Sequence, residues 1–411
     1  MSSSDKSILI VGCFDTKGEV FSYLRERIVA GGETVITVNT GVFGTTHAFP
    51  VDFEADQVAI AAGHSLADLR HDRDRGKAID IMGRGAASLV SRLYSDGRIK
   101  AVIGMGGGGG TYIALSAMQG VPFGTPKVCL TTLATKDLSR QIGDKDIMLI
   151  PSVVDVAGKN HILGQLVAQA AAAICAMANV QTADIESKAP CIAISMFGNT
   201  TACVDKCTEL LSNAGYEVLA FHATGVGGKT MESLIREGCF DAVLDITTTE
   251  LADDLCGGIC SAGSERLTAA ADMGIPQVVV PGCLDMVNFA HPDTVPPAFA
   301  GRRLYSWAPD VTLMRTDERE NVILGERLAR NVSRSQAGAA IVLPLKGISQ
   351  IATEGGIFHN PAADTALFDA IRDNTASHVA IVEADMHIND PAFAGLLVKT
   401  LLGILQKSNH L

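Results

Sequence analysis

The sequence predicts an α/β protein made of two Rossmann-like, doubly wound domains, each built on a parallel sheet. Short β-branched runs alternate with helical patterns along the whole chain, as in repeated strand-helix-strand units. Forty-one glycines and only 5% aromatic residues match a fold with many tight strand-to-helix turns. A length of 411 residues favours two domains over one, because a domain usually holds about 100–200 residues.

Each predicted domain has its own series of strands. The first domain, residues 1–184, has apolar β-branched runs at 8–11, 34–38, 101–103, 127–130 and 147–150, followed by a helix around 161–180. The polar stretch QTADIESKAP then predicts a boundary near residue 185. The second domain, residues 185–411, has runs at 191–195, 218–221, 242–246, 277–280, 311–314, 340–343 and 379–382. Helical patterns separate most of these runs, which predicts parallel strands joined by right-handed crossovers.

The two halves also resemble each other in their turns. IVGCFDTKG and AISMFGNTT both lead into a helix, and KAVIGMGG further along parallels DAVLDITT. Repetition of the same turns in the same order is a signature of internal repeats. We therefore expect two domains related by duplication, which face each other across a cleft.

Composition and charge exclude several classes of partner. A net charge of −12 without a basic patch disfavours direct binding to nucleic acid or to an anionic membrane. The N-terminus MSSSDKSILIVG lacks the features of a signal peptide, and the ten scattered cysteines fit a reducing compartment. We therefore expect a cytoplasmic protein without a membrane span, whose alanine-rich 161–180 segment is a packed core helix. A homo-oligomer is expected, since such proteins often assemble symmetrically.

The strongest chemical signal is the glycine-rich loop Gly104–Thr111 in VIGMGGGGGTYIALSAM. A strand, a glycine loop and a helix start bring main-chain N–H groups and a favourable dipole to an anion. The dinucleotide spacing of glycines is present, but LTTLATKD replaces the acidic residue that NAD requires. The loop also resembles a P-loop, but Gly110 stands where that motif has lysine. A tightly packed turn without a ligand is the structural alternative.

Several ordered blocks together resemble one family. GCFDTKGEVFSYL, DRGKAIDIM, GMGGGGGTYIALSAM, GTPKVCLTTLATKD and IMLIPSVVDVAG, with PGCLDMVNF and ADMHINDPAF in the second half, resemble the Tm-1-like ATP-binding family, also called UPF0261. The resemblance implies ATP binding by the N-terminal domain and a Rossmann-like fold in each half, and it implies no particular reaction. One departure is FHNP, where His359 and Asn360 stand in place of an expected aromatic and aspartate.

Residues near predicted strand ends are candidates for the nucleotide site. Lys17 or Arg75 would supply the cation that Gly110 does not. Asp15 would hold Mg²⁺ through water or bind a ribose hydroxyl, unless it only caps the first helix. The remaining candidates are Thr16 and the loop residues Gly106, Gly107, Gly108, Gly109, Gly110 and Thr111 for the phosphates, Thr131 and Thr132 for base or ribose, and Ser152 and Asp155.

The second half suggests a further anion or substrate site. ATGVGGKTMESLI follows a strand and opens a helix, with Lys229 placed like the end of a P-loop. Glu232 and Asp285 lie near strand ends or helix starts, where an acid, a base or an Mg²⁺ ligand would serve chemistry in the cleft. Helix capping or surface pairing is the alternative for each of these residues.

The function expected from these features is ATP binding, used by an ATP-dependent enzyme that acts on a small molecule, such as an anionic metabolite, in the interdomain cleft. One alternative is a regulatory or protein-interaction module that binds the nucleotide without turnover. Another is a lyase, isomerase or hydrolase whose glycine loop holds an anionic metabolite instead of a nucleotide.

Overall fold

The structure, a computed structural model, describes residues 6–180 and 189–408. The chain divides into two compact units, Met1–Ile185 and Glu186–Leu411. The boundary predicted near residue 185 falls in 181–188, which lies outside the described residues.

The described residues of the first unit form one five-stranded sheet and seven helices. Its strands lie in the order β2-β1-β3-β4-β5, and all pairs are parallel. In chain order the elements are β1 (Ser7–Gly12), α1 (Phe14–Ala30), β2 (Val35–Asn39), α2 (Ala55–Ala61), α3 (Leu66–Asp72), α4 (Arg75–Ser95), β3 (Ile99–Gly106), α5 (Gly108–Met118), β4 (Lys127–Thr131), α6 (Ser139–Ile142), β5 (Met148–Pro151) and α7 (His161–Met177). This arrangement confirms a doubly wound α/β domain.

The central strand β1 shows why this sequence folds into three layers. Successive side chains of a strand point to opposite faces, so an uninterrupted apolar run needs cover on both sides. Leu9 and Val11 pack against the layer of α2, α4 and α5. Ile8 and Ile10 pack against α1 and α7. The helices that follow β1 and β3 therefore lie on opposite faces of the sheet.

The second unit contains a six-stranded parallel sheet and a small antiparallel sheet. The parallel order is β14-β13-β9-β8-β6-β7, and the antiparallel order is β10-β12-β11. The elements are β6 (Cys191–Met196), α8 (Thr201–Asn213), β7 (Glu217–His222), α9 (Val226–Arg236), β8 (Ala242–Thr247), α10 (Glu250–Cys256), α11 (Ala269–Met273), β9 (Gln277–Gly282), β10 (Met286–Phe289), β11 (Leu304–Ala308), β12 (Val311–Arg315), α12 (Glu318–Val332), β13 (Ala339–Pro344), α13 (Pro361–Asn374), β14 (Ala380–Ala384) and α14 (Pro391–Ser408).

The strand predicted at 311–314 is β12, and it does not join the parallel sheet. It pairs antiparallel with β10 and β11, neither of which the sequence predicted. Only three residues separate β9 from β10, which is too short for the crossover that a parallel neighbour requires. The chain therefore turns back into a separate antiparallel layer.

The two parallel sheets share one strand order. Numbered in chain order within its own sheet, the first unit has the order 2-1-3-4-5, and the second unit has 2-1-3-4-5-6 with β14 as the added edge. This common order is what the predicted duplication requires.

The alanine-rich segment around 161–180 forms α7, a core helix as predicted. Its buried side chains include Leu163, Val167 and Ile174, which join the core formed with α1. Across residues 6–180 and 189–408, no helix combines the length and the hydropathy that a membrane span requires.

Candidate functional site

A cavity of about 860 Å³ opens in the first unit, where β1 and β3 lie side by side. Because α1 and α5 leave these strands toward opposite faces, the cavity lies at the topological switch point, where open α/β sheets bind ligands. Its walls come from the start of α1, the loop after β2, the segment that joins α3 to α4, and the glycine loop.

The glycine loop places the start of α5 in the wall of this cavity. β3 ends at Gly106, Gly107 has an extended backbone (φ −81°, ψ −157°), and the helix begins at Gly108. Gly107, Gly108, Gly109 and Gly110 all line the cavity. The first N–H groups of a helix have no acceptor within the helix, and its dipole favours negative charge there. The predicted loop is therefore placed to hold an anion such as a phosphate.

Glycine stands at the individual positions of this loop for different physical reasons. A Cβ on Gly104 would lie 2.6 Å from Cβ of Ala114, and one on Gly106 would lie 2.8 Å from Cα of Gly110. Those two glycines are therefore required by packing of α5 against β3 and by the turn itself. A Cβ on Gly108 would meet no atom of the described residues within 4 Å. The absence of a side chain at Gly108 leaves open space beside the helix amides.

Four cationic side chains line the same cavity. Lys17 and Arg75 were predicted from the sequence, and Arg70 and Arg73 were not. None of the four forms an ion pair within the part of the chain that the structure describes. Their charges are therefore available to an anionic ligand. The dense basic sequence RHDRDR, just before α4, was the signal that could have revealed the two additional arginines.

Two of these cations have a defined position relative to the loop. The Lys17 ammonium donates a hydrogen bond to the carbonyl of Val156, which fixes the side chain in the wall of the cavity. The Nη2 atom of Arg75 lies 3.9 Å from the position that a Cβ on Gly109 would occupy. The guanidinium thus lies over the start of α5, where the sequence required a substitute for the P-loop lysine.

Asp15 is a cavity-lining acid with one free acceptor. Its Oδ2 accepts a hydrogen bond from the N–H of Phe43 at 3.2 Å. Its Oδ1 is buried and has no hydrogen-bond partner among the described residues. The N-cap of α1 is Cys13, so Asp15 does not cap that helix. A buried acceptor usually finds a donor, and here the cavity offers a place for one. Thr16 lies exposed at the rim of the same cavity.

Much of the remaining wall is apolar, although Thr40, Asp74 and Asp155 also line it. Phe43 is 80% exposed and lies beside the cavity opening. An aromatic ring at the opening and an apolar interior suit the flat face of a base. The other apolar side chains of the lining are Cys13, Val42, Leu69, Ala78, Ile79, Met82, Met105 and Ile113.

Gly106 and Thr111, two of the predicted phosphate ligands, do not line this cavity. The buried Thr111 hydroxyl donates to the carbonyl of Gly106 at 3.1 Å and lies 2.6 Å from Oγ1 of Thr131. These contacts fasten the start of α5 to β3 and β4. The hydroxyl of Thr111 therefore stabilises the structure of the loop.

A second cavity, of about 580 Å³, lies beside the glycine loop at the ends of β4 and β5. It is lined by the predicted residues Thr131, Thr132, Ser152 and Asp155. Asp155 lines both cavities. The predicted site residues thus separate into two adjoining cavities with one carboxylate in common.

In the second unit, the sequence predicts a loop that binds another anion. A carboxylate of the protein itself occupies that position. The N–H groups of Gly225 and Gly228 donate to Oε1 of Glu250 at 2.7 and 3.1 Å. A Cβ on Gly228 would lie 2.1 Å from Oε2 of Glu250, so the carboxylate fills the space next to the loop. The amides at the start of α9 therefore stabilise a buried glutamate of the protein itself.

The predicted catalytic residue Glu232 belongs to the same buried network. It accepts hydrogen bonds from the N–H groups of Leu267 and Ala269 and from the guanidinium of Arg266. Arg266 is fully buried and also pairs with Asp245 and Glu250. Glu232 is therefore saturated with internal partners and has a structural role in this arrangement.

Among the described residues, neither Lys229 nor Asp285 forms a hydrogen bond or an ion pair with Glu232. Lys229 is exposed on α9. Asp285 is fully buried, accepts a hydrogen bond from the Ser349 hydroxyl at 2.7 Å, and has its pKa raised to about 6 by that burial. In the described parts of the chain, no group of three or more His, Cys, Asp or Glu residues is arranged to hold a metal ion.

Asp253 gives the second unit a testable pH dependence. It accepts hydrogen bonds from Asn288 and from the N–H of Cys260, and burial raises its pKa to about 7. The unfolded pKa of aspartate is about 3.9, so the folded state keeps a proton that the unfolded state loses. This contribution to stability is complete below about pH 4 and is lost as the pH rises to about 7.

We therefore expect Asp253→Asn to remove a contribution to the unfolding free energy that falls between about pH 4 and about pH 7, so that the slope of the variant over this range differs from that of the wild type. Urea unfolding across this range measures the slope. Asp310→Asn removes an exposed carboxylate from the same unit and should keep the wild-type slope. Identical slopes for Asp253→Asn and wild type would show that Asp253 is ionised in the folded protein.

Comparison with known proteins shows which family this chain is similar to. Residues 6–183 match the model described as "Uncharacterised protein family (UPF0261) N-terminal domain", and residues 189–405 match the C-terminal domain model of the same family. A UPF0261 protein of Clostridium tetani is 43% identical over 404 residues, which cover 98% of this chain and 100% of that protein.

Two further relatives extend the similarity. UPF0261 protein RA0729 of Rhizobium meliloti is 41% identical over 391 residues, which cover 95% of this chain and 96% of that protein. ToMV resistance protein Tm-1(GCR237) of Solanum lycopersicum is 34% identical over 437 residues, covering 99% of this chain and 57% of the tomato protein. Since family models match both halves and the bacterial similarity is full length, the chain belongs to the UPF0261, Tm-1-like family.

Proposed function

We propose that this chain binds ATP in the cavity at the switch point of its first sheet. The observation that carries the proposal is the meeting of two features in one cavity: the amide-rich start of α5 and four cations that form no ion pair with any described residue. The phosphates lie against Gly108–Gly110, where helix amides and the dipole favour anions. Arg75 and Lys17 neutralise the outer phosphate oxygens in place of a P-loop lysine.

The remainder of the cavity suits the nucleoside. Its volume of about 860 Å³ lies within the range of small-molecule sites, and most of the wall away from the loop is apolar. Phe43 and Met82 offer surfaces for the base. The free Oδ1 of Asp15 accepts a hydrogen bond from a ribose hydroxyl or from water bound to Mg²⁺.

We further propose that the bound nucleotide is consumed in an ATP-dependent reaction on a small molecule. The support is the second cavity, which adjoins the glycine loop and has Asp155 in common with the nucleotide cavity. A pocket beside the phosphate end of a nucleotide site has the position that an acceptor requires. Lys229, Glu232 and Asp285 take no part in this proposal.

Titration calorimetry tests nucleotide binding directly. We expect ATP and a hydrolysis-resistant analogue to bind with equal affinity, and affinity to fall from ATP to ADP to AMP as phosphate contacts are removed. AMP binding as tightly as ATP would contradict phosphate recognition by the loop. Binding of sugar phosphates without any response to adenine nucleotides would instead support a site for an anionic metabolite.

A further inference from the structure

The second cavity has a lining unlike that of the nucleotide cavity. Its polar side chains are hydroxyls and one carboxylate, from Thr131, Thr132, Thr135, Ser152 and Asp155. No lysine or arginine belongs to its lining among the described residues. The glycine loop therefore lies between a cavity lined by cationic side chains and a cavity lined by hydroxyls and one carboxylate.

Three of these polar groups are free to meet a ligand. The side chains of Thr132, Thr135 and Asp155 are exposed, and none forms a hydrogen bond or an ion pair within residues 6–180. The hydroxyl of Ser152, in contrast, donates to the carbonyl of Val154 at 2.6 Å. The free groups comprise two hydroxyls, which both donate and accept, and one carboxylate that accepts.

The wall of this cavity is held in a strained conformation. Val153 has φ of +62°, and the N–H of Val154 donates to the carbonyl of Ser152 at 2.6 Å, which together form a γ-turn. A left-handed φ is rare for a β-branched residue, and this one is 76% exposed, so its packing does not explain the conformation. Strain of this kind concentrates at functional sites, and here it lies two residues before Asp155.

Asp155 lies where the two cavities meet. A Cβ on Gly107 would lie 3.9 Å from Oδ1 of Asp155 and 3.8 Å from Oγ1 of Thr132. Gly107 is the residue that precedes the amide-rich start of α5. The carboxylate is therefore placed between the phosphate end of the nucleotide cavity and the hydroxyl-rich cavity.

The charge of the second cavity selects its ligand. No lysine or arginine is among the described residues that line this second cavity, so the Asp155 carboxylate disfavours an anionic metabolite there, while the exposed threonine hydroxyls favour a ligand rich in hydroxyl groups. An uncharged polyol fits both conditions. This chemistry differs from the anionic metabolite that the sequence led us to expect.

We propose that the second cavity binds an uncharged polyol as phosphoryl acceptor, with Asp155 as the general base; this inference rests on the ATP binding proposed above. Asp155 takes the proton of an acceptor hydroxyl while the oxygen of that hydroxyl forms a bond to the γ-phosphorus of ATP. The bond from that phosphorus to the β,γ-bridging oxygen breaks, and ADP leaves with the electron pair. The proton on Asp155 then passes to water.

The test uses xylitol as the uncharged probe and xylonate as its anionic counterpart. With ATP and Mg²⁺, we expect xylitol to accelerate ADP release by the full chain and to become phosphorylated, while xylonate has no effect. Asp155→Asn should still bind ATP in calorimetry but lose the xylitol-stimulated rate by about 100-fold or more. Asp96→Asn, which removes an exposed carboxylate outside both cavities, should keep that rate.

A second variant tests the cavity without touching the base. Thr135→Tyr fills the cavity and should raise the KM for xylitol while leaving ATP affinity unchanged. Stimulation by xylonate in place of xylitol, no stimulation by xylitol, or a full rate in Asp155→Asn would overturn the polyol proposal. Failure of the wild type to bind ATP would instead overturn the proposed nucleotide site.

Discussion

Gly108→Val should lower ATP affinity by about 100-fold or more while the protein keeps its fold. Apart from its chain neighbours and the backbone of its own helix, a Cβ at this position would meet no atom of the described residues within 4 Å, so the protein itself leaves room for a side chain. The same space is where the phosphates contact the helix amides, and hydrogen bonds to a charged group contribute about 1.5–3 kcal/mol each. Loss of one or two of them accounts for a change of this size, since about 1.4 kcal/mol corresponds to tenfold in affinity. Titration calorimetry measures the change.

The matched control is Gly403→Val, at a glycine in α14 where a Cβ would likewise meet no described residue outside its own helix within 4 Å. It makes the same substitution far from the loop in sequence, and ATP affinity should stay at the wild-type value. Circular dichroism and the melting temperature show whether each variant is folded. Wild-type affinity in a folded Gly108→Val protein would remove the glycine loop from the binding site.

Arg266→Ala should destabilise the second unit by about 3–5 kcal/mol, because it leaves buried carboxylates without their cation. The guanidinium donates to Oε2 of Glu250 at 2.6 Å, to Oδ1 of Asp245 at 2.8 Å and to Oε1 of Glu232 at 3.1 Å. The alanine variant therefore leaves three carboxylates close together without their cation, in an interior that disfavours unpaired charge. Urea unfolding of the variant and the wild type measures the difference in unfolding free energy.

An arginine of the same unit provides the comparison. Arg334 is about half exposed and pairs with Asp272 at 2.5 Å and with Glu265 at 4.0 Å. Arg334→Ala should cost less than about 1 kcal/mol, since solvent screens such surface pairs. Equal costs for the two variants would contradict the structural role that we assign to the Arg266 network and would reopen a catalytic role for Glu232.

Most of the fold was predictable because its signals are local. The apolar run of β1 is buried on both faces, and turn residues punctuate each strand-to-helix connection, so periodicity and turn chemistry give the same answer. β10 and β11 were missed since they are four and five residues long and their pairing with β12 is set by tertiary contacts. Short apolar runs do not reveal which sheet they will join.

The candidate site was predictable to a similar extent, and for a geometric reason. Lys17, Gly108 and Asp155 all follow parallel strands, and the carboxyl ends of parallel strands meet at one edge of the sheet. Arg70 and Arg73 were not foreseen, because their place in the cavity depends on how α3 and α4 lie over that edge. The internal role of Glu232 depends on Arg266, which is 34 residues away in sequence and shows no local signal of the pairing.

The most direct test of nucleotide binding at the glycine loop is amide hydrogen exchange of the wild type, with and without a hydrolysis-resistant ATP analogue. The helix amides of Gly108, Gly109 and Gly110 have no acceptor within α5, so a bound phosphate should slow their exchange. We predict that protection on binding is concentrated in residues 106–111 and in the segment that carries Arg75. Saturating analogue with unchanged exchange in 106–111 would place the nucleotide elsewhere and contradict the proposed site.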